Sequence, residues 1–142
     1  MLKILIAVDG SEHADRAIVA VGNMARSSLE LEATLLCVSP EPLFYGSYTA
    51  ATIQKVEDEQ VIQQNVILGK AVAQAKAAGL NVGEPARAYG VIANEIVRIA
   101  KDRQVDQIAM GTRGMGAMGN LFLGSVAQGV IHQSPVPVLL VK

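Results

Sequence analysis

Residues 111–126, GTRGMGAMGNLFLGSV, hold five glycines and one basic side chain, and they run into a stretch typical of a helix. Glycine lets a backbone turn sharply or approach a ligand closely, and the N–H groups at a helix start attract anions. The pattern G-x-x-G, nine residues, G-S is formed by Gly111, Gly114, Gly124 and Ser125. We expect Gly111 to turn the chain off a strand and Gly114 to bring backbone close to a phosphate. The final Gly-Ser pair would open the helix, so the pattern favours a polyphosphate site.

Two other glycine motifs overlap this stretch. Gly114, Gly116 and Gly119 spell the dinucleotide fingerprint G-x-G-x-x-G, but the position about 20 residues on, where an acidic residue belongs, falls in an apolar run. Residues 119–125, GNLFLGS, have Walker A spacing with serine where the phosphate-binding lysine belongs. We therefore interpret the first motif as a chance match and discount the second.

The elements that must position the glycines alternate between strand-like and helix-like patterns. Apolar runs of strand length occupy about residues 2–9, 33–39, 82–89, 105–111 and 136–141. Helical spacing lies between them, with Ser11 as a candidate N-cap and Gly79 as a stop signal for a long second helix. The apolar face of that long helix is expected to contain Val61, Leu68, Val72 and Ala75.

Strands that alternate with helices predict an α/β fold, with an open five-stranded parallel sheet and helices on both faces. We expect one domain over residues 1–142 and the strand order 3-2-1-4-5. Strands one and four would then be neighbours where the strand order reverses, and ligands bind beyond the carboxyl ends of strands at such a point. Residues 8–11, VDGS, would face the glycine stretch across one crevice.

Composition limits the classes of partner. Twelve basic and thirteen acidic side chains give a formal charge of -1, which provides no global attraction to nucleic acid or an anionic membrane. Cys37 is the lone cysteine and excludes an internal disulfide, and His13 and His132 have no ligand-spaced partner, so we expect no metal site. The apolar run near the N-terminus is too short for a signal core or membrane span, which favours a cytoplasmic protein.

Four segments together resemble the universal stress proteins, specifically their ATP-binding branch: ILIAVDGSEHADRA (4–17), GVIANEIVRIA (90–100), VDQIAMGTRG (105–114) and LGSVAQGVIHQSPVPVLLVK (123–142). The resemblance implies a Rossmann-like, adenine nucleotide alpha hydrolase-like fold that binds ATP or AMP, with Mg²⁺ able to bridge the phosphates. By resemblance, Asp9 and the Ala7 backbone approach ribose and adenine, and the Val38 main chain contacts adenine. The implied cofactor-binding residues are Ala7, Asp9, Val38, Met110, Gly111, Arg113, Gly114, Gly124, Ser125 and Val126.

Plainer roles stay open for two of these residues. The Asp9 carboxylate could cap the turn that follows the first strand, which is a common role of aspartate before glycine. Arg113 could neutralise phosphate charge or project into solvent.

The sequence favours a regulatory, nucleotide-dependent switch of the stress response. Near the glycines there is no evident base, phosphate-clamping lysine or acidic metal cluster of the kind that efficient phosphoryl transfer requires. We therefore assign no catalytic residue and expect at most slow ATP hydrolysis. The alternatives are an ATPase or phosphotransferase that uses Ser125, Thr112 or Asp9, and an interaction module that works without nucleotide. A receiver domain is set aside, because residues 88–90, AYG, lack its phosphoacceptor aspartate.

Two further segments suggest interactions. Prolines at positions 135 and 137 indicate that the last strand, Val136 to Val141, lies at a sheet edge. An apolar edge can pair with another chain, and the corresponding strand commonly forms a homodimer in the resembled family, so we expect a homodimer there and a protein partner for the switch. The loop containing Phe44, Tyr45 and Tyr48 would either close over the nucleotide or pin itself against the sheet or a subunit.

Overall fold

The computed structural model describes residues 1–27, 30–42, 44, 46–114 and 122–142. Gly116 and Gly119, on which the two discounted motifs depend, lie outside these residues, as does Tyr45. Within the described residues the elements are β1 (Leu2–Ala7), α1 (Glu12–Ala25), β2 (Leu31–Ser39), α2 (Ala50–Ala77), β3 (Asn81–Val82), β4 (Ala86–Tyr89), α3 (Ile92–Asp102), β5 (Gln107–Gly111), α4 (Ser125–Gln133) and β6 (Val138–Val141).

The strands form one parallel sheet in the order β3-β2-β1-β5-β6, and β4 also pairs with β2. The predicted order 3-2-1-4-5 is confirmed, with one correction: the third predicted strand is two short strands. Ala33 pairs with Val82 and Leu36 pairs with Ala86, so the β3–β4 segment has one residue more than β2 between these pairs. The extra residue lies in the stretch that contains Pro85, whose missing N–H cannot join a ladder.

Helices cover both faces of the sheet, as predicted. Because side chains alternate along a strand, Ile4 and Ile6 of β1 pack in one core with α1 and α2. Leu5, between them, packs in a second core with α3 and α4. Side chains of the central strands belong to both cores, and this packing fixes the positions of the strand ends.

The local helix signals act as expected. Ser11 is the N-cap of α1, and its side chain accepts a hydrogen bond from the Ala14 N–H at 3.2 Å. At the end of α2, Gly79 has a positive φ of 85°. The N–H groups of Gly79 and Leu80 donate to the carbonyls of Lys76 and Ala75, which is the Schellman arrangement that closes a helix.

The predicted apolar face of α2 is only half correct. Leu68 and Ala75 are buried, but Val61 and Val72 are half-buried. The most buried polar side chain of the helix is Gln64, with no exposed area. This glutamine was absent from the prediction, because an apolar periodicity counts only apolar residues.

The ends of four strands differ from the prediction, and the second begins at Leu31 rather than residue 33. The first ends at Ala7 rather than residue 9, because Gly10 takes a positive φ of 85° in the turn to α1. The fourth begins at Gln107 rather than residue 105, and the last begins at Val138, directly after Pro137. The last strand does lie at the sheet edge, as predicted. Among the described helices none is long and apolar enough to cross a membrane.

Candidate functional site

A cavity of about 690 Å³ lies at the carboxyl ends of β1, β2 and β5, where the strand order reverses. Residues from both predicted loops, after β1 and after β5, line it, so the two loops do share one crevice. All of the sequence-predicted site residues line this cavity: Ala7, Asp9, Val38, Met110, Gly111, Arg113, Gly114, Gly124, Ser125 and Val126. The structure therefore brings together residues that lie up to 119 positions apart in the chain.

Asp9 occupies the turn between β1 and α1. Its Oδ1 accepts a hydrogen bond from the Ser11 N–H at 2.9 Å, so the carboxylate does cap this turn. The other oxygen faces the glycine loop, because a Cβ added to Gly114 would overlap Asp9 Oδ2. The capping role and a place in the cavity are therefore compatible, and the absence of a side chain at Gly114 is what lets the two loops meet.

Gly111 has a different structural role from the one predicted. Its φ is not positive, so no unusual turn requires glycine there. A Cβ at this position would instead lie 2.6 Å from His13 Cβ and 2.9 Å from the His13 carbonyl carbon. Gly111 is therefore required by the close packing of the first turn of α1 against the end of β5.

The start of α4 is open towards the cavity. Gly124 is the N-cap residue, and no side chain caps the helix. The Gly124 N–H donates to the Thr112 carbonyl at 2.7 Å, which fixes the helix start against the end of β5. The first N–H groups of a helix have no acceptor within it. Those of α4, next to the exposed Ser125, thus provide donors and a positive dipole end that favour an anion.

The main chain of Val38 faces the opposite end of the cavity. The Leu36 carbonyl accepts from the Val8 N–H on the β1 side of β2, whereas the Ser39 carbonyl accepts from the Gly90 N–H on the β4 side. Backbone groups alternate sides along a strand, so those of Val38 point to the β1 side. Since β1 ends at Ala7, they point into the cavity, where one donor and one acceptor are offered together.

The walls beside Val38 differ in character. The side facing α3 and α4 is apolar, with Ile92, Ile96, Met110 and Val126. The side facing α2 is more polar and contains Ser39, Gln60 and Gln63. Sequence reasoning did not identify these three polar residues or the two isoleucines. Of these residues, Gln60 and Gln63 carry a sequence signal, because they are polar residues near the buried face of α2. That signal gains meaning once β2 is known to lie beneath the helix.

Cys37 also lines the cavity and is 2% exposed, consistent with the predicted packing of a small apolar side chain. Burial, and secondarily the negative charge of Asp9, raises the pKa of the thiol to about 11. The thiol is therefore neutral at pH 7, which does not suit a nucleophile. Within the described part of the chain, no three His, Cys, Asp or Glu side chains are grouped to hold a metal ion.

The aromatic loop borders a neighbouring cavity. Phe44 and Tyr48 pack edge to face with ring centroids 5.4 Å apart. Phe44 lines a second cavity of about 520 Å³, together with Tyr89 and acidic residues of α2. Neither Phe44 nor Tyr48 is among the described residues that line the main cavity. Phe44 and Tyr48 thus lie outside the lining of the main cavity, whereas Pro40, at the start of the loop, is part of it.

Comparison with known proteins agrees with the fold. A universal stress protein from Thermus aquaticus is 34% identical over 141 residues, covering 98% of this chain and 97% of the relative. The solved structure of protein MJ0577 from Methanocaldococcus jannaschii superposes with a TM-score of 0.83 at 28% identity, covering 99% of this chain and 94% of that one.

A universal stress protein from Archaeoglobus fulgidus, solved in complex with dAMP, has a TM-score of 0.69 at 26% identity and covers 100% of this chain and 98% of its own. The family description for universal stress proteins matches residues 1–142. The chain belongs to the universal stress protein family.

Proposed function

We propose that this protein binds an adenine nucleotide, ATP or AMP, in the cavity at the carboxyl edge of the sheet and acts as a regulatory switch in a stress response. The observation that carries the proposal is the assembly of all the sequence-predicted site residues around one cavity of about 690 Å³. The cavity offers an anion position at the α4 start and a hydrogen-bonding main chain at Val38, at opposite ends. A nucleotide has a matching polarity, with phosphates at one end and a base at the other.

The proposed roles follow from position. The phosphates lie on Gly114, Gly124, Ser125 and Val126, where the uncapped N–H groups of α4 stabilise negative charge. Arg113, on the same loop, adds a positive charge beside them. Met110 and Gly111 contact the ribose, Asp9 and Ala7 approach ribose and adenine, and the Val38 main chain contacts the base. Mg²⁺ would accompany ATP and would neutralise part of the phosphate charge. The dAMP complex of the Archaeoglobus fulgidus relative supports the choice of adenine.

The cavity suits binding better than rapid hydrolysis. The described lining of the cavity contains no lysine. Asp9 is the acidic residue of that described lining, and its carboxylate accepts a hydrogen bond from the Ser11 N–H. Efficient phosphoryl transfer uses a clamp on the phosphates and a positioned base. We therefore propose at most slow hydrolysis. Sustained turnover with Mg²⁺ that is lost in folded Ser125→Ala protein would instead favour the ATPase alternative.

The phosphate end of the cavity is connected to the edge of the sheet. Thr112 accepts from the Gly124 N–H through its carbonyl, and its own N–H donates to the Val141 carbonyl at 2.8 Å. One residue thus joins the start of α4 to the end of β6. We propose that β6 pairs with a second copy of the chain in a homodimer, and that nucleotide occupancy acts on this surface or on a protein partner.

Nucleotide binding can be tested directly. The protein is purified without added nucleotide and denatured, and any released molecule is identified by mass spectrometry; stripped protein is then titrated with ATP and AMP. Gly124→Ala is expected to weaken binding by about tenfold or more, because a methyl group crowds the N–H groups that hold phosphate. A Cβ at Gly124 would lie 3.5 Å from its nearest neighbours, an ordinary contact that the fold tolerates.

The matched control is Gly69→Ala on α2, where no atom lies within 4 Å of an added Cβ. It should bind nucleotide like the parent protein. A parent protein that neither retains nor binds adenine nucleotide would overturn the proposal and leave the glycine pattern as a turn in an interaction module.

A further inference from the structure

Gln64 is a buried polar side chain whose position lacks an explanation in packing alone. It has no exposed area in the middle of α2, where an apolar residue would fill the same space. Its Oε1 has no hydrogen-bond partner in the described structure. An unsatisfied buried polar atom costs about 1–3 kcal/mol.

The amino group of Gln64 makes two hydrogen bonds. Nε2 donates to Ser39 Oγ at 2.9 Å and to the Ala88 carbonyl at 3.1 Å. A carbonyl can only accept, so the contact with Ala88 determines which end of the amide carries the hydrogens. The opposite amide orientation would place two acceptors against each other. Ser39 Oγ is consequently held as an acceptor from Gln64.

This arrangement determines the direction of the Ser39 hydroxyl. A serine hydroxyl has one proton to donate. Because Gln64 supplies the hydrogen in their shared bond, the Ser39 proton must point elsewhere. Ser39 is half-buried and lines the main cavity directly after Val38. The hydroxyl proton is therefore not used by Gln64, and Ser39 lies where this proton can be donated to a ligand at that end of the cavity.

The end of the cavity at Ser39 is the base end. The phosphate position lies at the end of β5, and β2 is separated from β5 by β1. Neighbouring strands are about 4.8 Å apart, so Ser39 lies roughly 10 Å across the sheet from the end of β5. A nucleotide with its phosphates on α4 would reach Ser39 with its base.

We propose that Ser39 donates a hydrogen bond to an unprotonated ring nitrogen of the bound purine, and that Gln64 is the positioning residue that orients this donor. The inference rests on the proposed nucleotide function and adds a side-chain determinant of base recognition to the main-chain groups of Val38. A half-buried hydroxyl that the bound base covers penalises a ligand that lacks the matching acceptor, because the donor is then left unpaired.

The test measures the affinities of AMP and of its 1-deaza, 3-deaza and 7-deaza analogues, each of which replaces one ring nitrogen by C–H. Parent protein should bind at least one analogue about tenfold more weakly than AMP. Ser39→Ala should abolish the penalty for one analogue while keeping the others. Gln64→Leu should reduce that same penalty, although Ser39 is still present, because the hydroxyl is no longer oriented.

The control is Gln74→Leu, which changes a glutamine on the same helix whose amide donates to the Asp15 carbonyl. It should leave every ratio at the parent value. A purely structural role for Ser39 or Gln64 would weaken AMP and all analogues equally. Unchanged ratios in Ser39→Ala therefore overturn the inference, even if Gln64→Leu fails to fold, while the proposed function stands. Failure of the parent protein to bind AMP would instead remove the proposed function itself.

Discussion

Single residues in this protein often serve the site and the fold together. Asp9 both caps the turn after β1 and borders the cavity, and Gly111 both borders the cavity and accommodates His13. For such residues a substitution alters packing and ligand contacts at once. Variants such as Gly124→Ala and Ser39→Ala are more informative, because the first leaves ordinary contacts and the second removes only a hydroxyl.

The raised pKa of Cys37 predicts that its thiol reacts slowly in the folded protein. Since burial raises its pKa from 9.0 to about 11, the thiolate fraction near pH 8 should be about 100-fold lower in the folded protein than in the unfolded chain. Iodoacetamide should therefore alkylate native protein far more slowly than protein in denaturant. Equal alkylation rates in native and denatured protein would show that the thiol is not buried and that its pKa is not raised.

The raised pKa of Cys37 also makes the free energy of unfolding depend on pH. A raised pKa means that folding favours the neutral thiol. The contribution of the thiol to the free energy of unfolding is therefore fully present below pH 9 and is lost as the pH rises towards 11. Urea midpoints across this range should fall more steeply for the parent than for Cys37→Ser.

At the level of helices and strands, the sequence predicts the helix ends at Ser11 and Gly79 correctly, because capping is local. Ser11 and Gly79 each act within a few residues of their own helix. The division of the third strand into β3 and β4 depends on their pairing with β2, and the burial of Gln64 accompanies its hydrogen bond to Ser39 of β2, so the local sequence predicts neither. Ser39 and Gln64 are 25 positions apart, and no short sequence window contains both.

Two glycines, one inside α2 and one just after its end, provide opposite predictions. Gly79 has a φ of 85°, so Gly79→Ala should lower the free energy of unfolding by about 1 kcal/mol. Gly69 lies within the helix with no atom near an added Cβ, so Gly69→Ala should raise it by about 0.5–1 kcal/mol. Chemical denaturation measures both, and a stabilising Gly79→Ala would contradict the assigned helix end.

At the level of the whole molecule, β6 forms one edge of the sheet, where we propose that two copies of the chain meet. The Ile108 N–H bonds the Pro137 carbonyl, and the Thr112 N–H bonds the Val141 carbonyl. By strand alternation, the backbone groups of Val138 and Leu140 point away from β5. This outer side is available to a second chain in the proposed homodimer.

Val138→Pro tests that proposal. It removes an outward N–H without removing a bond to β5, so the protein should stay folded and become monomeric. Analytical ultracentrifugation measures the change, and Val138→Ala serves as the control for the lost side-chain volume. A proline variant that remains a folded dimer would place the dimer surface elsewhere, as would a parent protein that is monomeric at all concentrations tested.

The sequence by itself determined the alternation of strands and helices, the strand order, the caps at Ser11 and Gly79, and ten of the residues around the cavity. These follow from short-range periodicity, glycine spacing and family resemblance. Only the tertiary structure decided why Gly111 is needed, that Cys37 borders the cavity, and that Gln64 orients Ser39 beside Val38. The physical reason is that these features are contacts between distant segments, which exist only once the sheet has brought α1, α2 and the strand ends together.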